Sequence, residues 1–132
     1  MDWDALIAAA AAARANAYAP YSGFPVGAAL LMEDGSIWAG ANIENCIPAL
    51  STCAERNAMT TAASAGLRKP RAVAVITDTS PPARPCGLCR QTLSEFAREE
   101  DLPILMTNLQ GDREETTLFK LLPDRFYLAP RE

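Results

Sequence analysis

Three cysteines and a glutamate are the residues of this chain whose types and spacing point to chemistry. Thr52-Cys53-Ala54-Glu55-Arg56 and Pro85-Cys86-Gly87-Leu88-Cys89-Arg90 each lie where a loop enters a predicted helix. The Cys86-x-x-Cys89 spacing alone serves structural zinc sites and thiol redox motifs alike. With Cys53 added there are three sulfur ligands, which leave the fourth tetrahedral position of zinc open to water; a structural site closes it with another Cys or His. The chain has no histidine, so the upstream ligand is Cys53. Glu55, two residues on, sets a carboxylate beside the open position. Helix N-termini favour thiolate over thiol, because their unpaired N–H groups and dipole attract negative charge. Three thiolates around a doubly charged ion nevertheless leave excess negative charge, which weakens the ability of the metal to acidify water. Arg56 is placed to offset it by hydrogen-bonding ligand sulfurs. Its plainer reading is a solvated helix arginine.

The elements that position these residues read as follows. Asp2 or Asp4 caps a first helix running to about Tyr18, with Tyr18-Ala19-Pro20 ending the pattern. Strands are expected over 24–32 and 37–43, joined at Asp34-Gly35, a pair favoured in tight hairpin turns. In the first strand Val26, Ala28, Leu30 and the alternate set Gly27, Ala29, Leu31 are all apolar, which predicts a sheet covered on both faces. A second helix over 53–65 ends at Gly66, and a strand over 72–77 follows. The 78–85 loop then leads into a helix over 86–98 and a strand over 103–107, forming a parallel crossover unit. An edge strand over 114–118 and a short helical turn at 119–122 complete the chain. The fold class expected is α/β: a three-layer α-β-α sandwich with a mixed sheet of about five strands.

Composition narrows the function classes. At 132 residues the chain is expected to form one domain, and 49% apolar with 21% charged residues is the balance of a globular protein. The net charge of −4 supplies no basic surface for a nucleic-acid polymer. The apolar run Ala5 to Ala13 is too short to span a bilayer, and the acidic start Met1-Asp2-Trp3-Asp4 lacks the basic region of an export signal. A cytoplasmic protein with reduced cysteines is expected.

Taken together, the cysteine elements resemble the zinc deaminase signature, with Cys53 where a His is common. The chain is similar over nearly its whole length to the short, three-cysteine class of cytidine deaminase. Further motifs carry the likeness: Ala19-Pro20-Tyr21-Ser22-x-Phe24-x-Val26-Gly27-Ala28-Ala29-Leu30, Gly40-x-Asn42-x-Glu44-Asn45 and Leu121-Leu122-Pro123. The resemblance implies a single cytidine deaminase-like domain with Zn2+ held by Cys53, Cys86 and Cys89. It implies hydrolytic deamination of cytidine or 2′-deoxycytidine as a step of pyrimidine salvage, with Glu55 shuttling protons between water, ring and departing ammonia. Asn42 and Glu44 are implied to bind ribose hydroxyls, and Phe24 to pack on the pyrimidine. A homotetramer is implied as well, with neighbouring chains completing each pocket and Phe126 contributing. Read without the family, Asn42 and Glu44 are more often turn residues at a strand end, and Phe24 is more often a core aromatic.

The segment Cys46-Ile47-Pro48 departs from the small-small-aromatic pattern associated with the family. Cys46 reads as a small buried hydrophobe rather than a fourth ligand closing the site. Three rival readings stay open: a deaminase of another nucleoside-like compound, a metal-bearing binding module, and a thiol oxidoreductase using Cys86 and Cys89. The module gives Glu55 no role, and the oxidoreductase leaves Cys53 unexplained.

Overall fold

Along β1 (Gly27–Met32) and β3 (Pro70–Thr77) successive side chains point to opposite faces, and each set meets a different helical layer. In the computed structural model of the chain, which describes residues 1–131, Ala28, Leu30, Met32, Val73 and Val75 share one core with α2 (Ala54–Ser64) and α3 (Gly87–Phe96). Ala29, Ala72, Ala74 and Ile76 pack instead under Leu6 and Ala10 of α1 (Trp3–Arg14). The expected α-β-α layering is therefore present, and it follows from strands that are apolar on both faces.

The five strands lie in the order β2 (Ile37–Ala41), β1, β3, β4 (Pro103–Asn108) and β5 (Arg113–Thr117), followed by α4 (Leu118–Leu121). β3 and β4 are parallel and joined through α3, whereas the other neighbours pair antiparallel, so the sheet is mixed. Gly40 of β2 faces the first turn of α2. A Cβ there would meet Ala58 N at 2.7 Å and Ala54 O at 2.8 Å, so only glycine lets this helix seat against the sheet. Asn57 Nδ2 then ties α2 to Ala41 O at 2.7 Å. This seating fixes where Cys53 and Glu55 stand relative to the end of β2.

Several boundaries differ from the sequence reading for tertiary reasons. α1 begins beyond the Asp2 cap, as expected, but stops at Arg14 rather than near Tyr18. Tyr18 is drawn to the sheet edge, where its N–H donates to Asn42 O at 3.0 Å and its carbonyl accepts from Glu44 N at 2.8 Å. β1 starts at Gly27 rather than Phe24, because Val26 N and Phe24 O bond to the Asn42 side chain, leaving only Val26 O to accept from a backbone N–H, that of Asn42 at 3.3 Å. Asp34-Gly35 sits in a looser turn over 33–36, in which Asp34 Oδ1 accepts from Ser36 N at 3.0 Å. Gly66 follows α2 with φ 99°, and Leu67 N reaches back to Ala62 O at 3.0 Å, closing the helix as expected. No helix among the described residues is long and apolar enough to cross a membrane.

Candidate active site

Both cysteine elements enter their helices in the same way. Cys53 and Cys86 are the N-cap residues of α2 and α3, each extended and neither capping through its side chain. Their sulfurs are thus free to point at one another, and Cys89 joins them from the first turn of α3. Cys53 Sγ lies 3.6 Å from Cys86 Sγ, which is 3.3 Å from Cys89 Sγ, and all three fall within 4.8 Å of one another. A tetrahedral zinc with sulfurs at about 2.3 Å needs them roughly 3.8 Å apart, so the donor set fits that ion in chemistry and in spacing.

Cys89 is fully buried, Cys53 half-buried and Cys86 exposed, so the cluster opens on one side. Hydrogen bonding to Cys89 brings the Cys53 thiol down to about 5, with help from Cys86 and the Arg56 charge, against the cost of burial. The same pairing, together with burial, pushes the Cys89 thiol up. The Cys53 thiolate is thus favoured beside the Cys89 thiol, and the Arg56 charge lies near enough to Cys53 to add to that preference.

A cavity of about 350 Å³ opens beside the sulfurs, within the range of small-molecule sites. Glu55 lines it although only 4% of the residue is exposed, and burial, more than the nearby Cys53 charge, raises its carboxyl above the usual range. Phe24, Asn42 and Glu44 line the same cavity, so the three residues expected to bind ribose or base are brought together beside the sulfurs.

Asn42 and Glu44 also serve as the turn residues they resemble. Asn42 Nδ2 donates to Phe24 O at 2.9 Å while its Oδ1 accepts from Val26 N at 2.8 Å, leaving one N–H and one lone pair. Glu44 Oε1 accepts from the Tyr21 and Ser22 amides at 2.9 and 3.1 Å, and Oε2 accepts from the Ser22 hydroxyl. The Ser22 hydroxyl holds the Glu44 carboxyl below its ordinary value, so it stays an acceptor. Both side chains are pre-oriented by backbone they did not have to be near in sequence.

The sequence reading gave no role to Ser22, Thr77 or Arg84, which also line the cavity. Arg84 is the only basic residue in that lining; its place just before Pro85-Cys86 was the available signal. Phe126 is 73% exposed and lies outside the cavity lining of its own chain.

Cys46 is exposed rather than buried, and its sulfur lies 3.7 Å from Asn45 Oδ1, outside the three-sulfur group. Cys46→Ala is therefore expected to retain the zinc content and turnover of the unaltered protein. Metal analysis beside a rate measurement checks this, and loss of metal from the variant would contradict a three-sulfur site.

The family profile described as cytidine and deoxycytidylate deaminase zinc-binding region matches residues 1–105. A cytidine deaminase of Sporosarcina psychrophila is 53% identical over 126 residues, covering 96% of this chain and 92% of its own. Among solved structures, a cytidine deaminase from Burkholderia pseudomallei superposes with a TM-score of 0.90 at 48% identity, covering 96% of this chain and 100% of that one. The cytidine deaminase of Mycobacterium tuberculosis gives 0.83 at 38% identity, with 97% and 99% covered.

Proposed function

The chain belongs to the cytidine and deoxycytidylate deaminase family, and on that premise we propose that it catalyses zinc-dependent hydrolytic deamination of cytidine, 2′-deoxycytidine or both. The observation that carries this reading is a cluster of three sulfurs, two of whose cysteines line one cavity together with the buried Glu55, Asn42 and Glu44. Cys53, Cys86 and Cys89 hold the zinc. When bound, zinc supplies Lewis acidity that makes water a nucleophile at neutral pH.

Glu55 does the proton work. Its carboxylate takes a proton from the attacking water and passes it to the ring nitrogen N3, which keeps it in the product. The second proton of the water goes through the same carboxylate to the amino group as the C4–N bond breaks. Cytidine and water thus become uridine and ammonia, with atoms and charge balanced. Burial raises the carboxyl above its ordinary value, because the charged form is poorly solvated there, and so favours its taking up a proton in transit.

Phe24 packs on the pyrimidine, and the unused hydrogen-bonding capacity of Asn42 and Glu44 grips ribose hydroxyls. Arg56 draws negative charge from the ligand sulfurs and so preserves the acidity the metal supplies. We read residues 1–132 as a single deaminase domain working in the cytoplasm in pyrimidine salvage, and as a homotetramer. Exposure of Ile43, Ile47 and Leu50 around the departing Cys46-Ile47-Pro48 segment supports the assembly. Sedimentation under assay conditions tests it, and full activity in a dilute monomer contradicts shared sites.

A substrate panel tests the function. Zinc-loaded protein should convert cytidine or deoxycytidine to the uracil nucleoside with equimolar ammonia, followed by ultraviolet absorbance, and should leave free cytosine nearly untouched for want of a ribose. Equal turnover of cytosine removes Asn42 and Glu44 from recognition.

A further inference from the structure

The 78–85 loop between β3 and α3 serves the site twice, lining the cavity through Ala83 and Arg84 and delivering Cys86 to the other sulfurs. What holds it comes from the ends of two parallel strands. Thr77 closes β3, Asn108 closes β4, and the two are paired in register and nearly fully buried, 2% and 3% exposed.

The hydrogens can be assigned. Thr79 Oγ1 donates to Pro81 O at 2.9 Å and lies 3.1 Å from Thr77 Oγ1. A hydroxyl has one proton, so with that of Thr79 committed to Pro81, Thr77 donates to Thr79. The Thr77 lone pairs are then left for the Ala83 N–H at 3.5 Å. A directed chain thus runs from the Ala83 amide through two hydroxyls to the Pro81 carbonyl, tying the pocket wall to the strand end.

Asn108 locks this chain from the neighbouring strand. Its Nδ2 donates to Thr79 O and Asp112 Oδ2, each at 2.9 Å, and its Oδ1 accepts from the Gln110 and Asp112 amides, each at 3.0 Å. Its full capacity of two donors and two acceptor sites is used. At the far end of the loop, Arg84 Nη2 meets Glu114 Oε2 of β5 at 3.1 Å. β4 and β5 contribute no residue to the cavity lining, yet both fasten the loop that does.

We propose that Thr77, Thr79 and Asn108 are positioning residues that fix the 78–85 loop, and with it the Ala83–Arg84 wall against which the substrate docks. The proposal rests on the deaminase reading above. Loosening the chain leaves the three sulfurs and Glu55 chemically intact but lets the wall drift, and misplacement of the order of 1 Å costs as much as about 100-fold in rate.

The test compares Thr79→Val, which keeps the shape and removes the hydroxyl, with Thr79→Ser, which keeps the hydroxyl. Both are measured as zinc-loaded full chains for metal content, melting temperature, kcat and KM on cytidine. The Val variant should match the unaltered protein in zinc while kcat/KM falls about tenfold, most of the loss being a raised KM, and the Ser variant should stay within about twofold. A purely structural role lowers the melting temperature or the active fraction and leaves KM alone. An unchanged KM in Thr79→Val, or no recovery in Thr79→Ser, overturns the proposal.

Asn108→Asp is the second probe, and decides the matter if Thr79→Val does not fold. It keeps the acceptor for the Gln110 and Asp112 amides, loses the donor to Thr79 O and to Asp112 Oδ2, where it sets two carboxylates side by side, and should also raise KM. An unaltered protein that turns over neither nucleoside tells against the deaminase reading; a normal one with insensitive variants tells against this brace alone.

Discussion

Glu55→Gln leaves zinc in place and reduces turnover by about 100- to 10,000-fold, the contribution typical of a positioned proton carrier. Glutamine has nearly the same shape and keeps the side chain in its buried place at the start of α2, so the fold has no reason to change. The three sulfurs that would hold the metal are untouched, and Glu55 is not one of that group. What the amide cannot do is accept a proton from water and release it to the ring. Ultraviolet assay of cytidine conversion, set beside zinc analysis of the same sample, separates the outcomes. Near-normal turnover in this variant would remove Glu55 from the mechanism, whereas loss of zinc would mean that it supports the metal instead.

Cys89→Ser should abolish both metal retention and turnover. Cys89 is the fully buried member of the cluster, held in the first turn of α3 with 0% exposure. A serine hydroxyl is a hard, protonated donor where zinc in this site calls for a thiolate, and two sulfurs are a poor remainder of the set. Metal binding also contributes to the stability of the folded state, so the variant should melt below the zinc-loaded protein and gain little from added zinc. Calorimetry with and without zinc reads this directly. A variant that keeps stoichiometric zinc contradicts the ligand assignment.

These residues were legible in the sequence because donor type and spacing constrain them before any fold is known. Three sulfurs and a glutamate in two short motifs, each at a helix entry, already define an open metal site. The layering was legible too, since β1 and β3 carry apolar residues in both alternating sets. Chain positions governed by remote partners were not. Alanine-rich sequence gives no local reason for α1 to stop at Arg14, because the cause is Tyr18 pairing at the sheet edge beside Ile43. The start of β1 was misplaced because a side chain, Asn42, takes the part of a neighbouring strand.

The roles of Asn42 and Glu44 show how two readings can hold together. Their turn-forming hydrogen bonds and their place in the cavity wall are consequences of one arrangement. Thr77, Thr79 and Asn108 carry no pattern of their own, since what they do depends on loop backbone brought to them by the parallel pairing of β3 with β4. Cys46 reads as buried because free cysteines usually are, whereas it stands exposed just before the short helical turn over 48–50.

The central claim, that a zinc ion on three cysteines and the Glu55 carboxylate together deaminate a cytosine nucleoside, is tested most directly by titrating metal-free protein with zinc while following ammonia release from cytidine and deoxycytidine. Turnover should be absent at the start, rise in proportion to bound zinc, and level off when each chain holds one equivalent. Turnover by the metal-free protein, or full zinc occupancy without ammonia from either nucleoside, would contradict it.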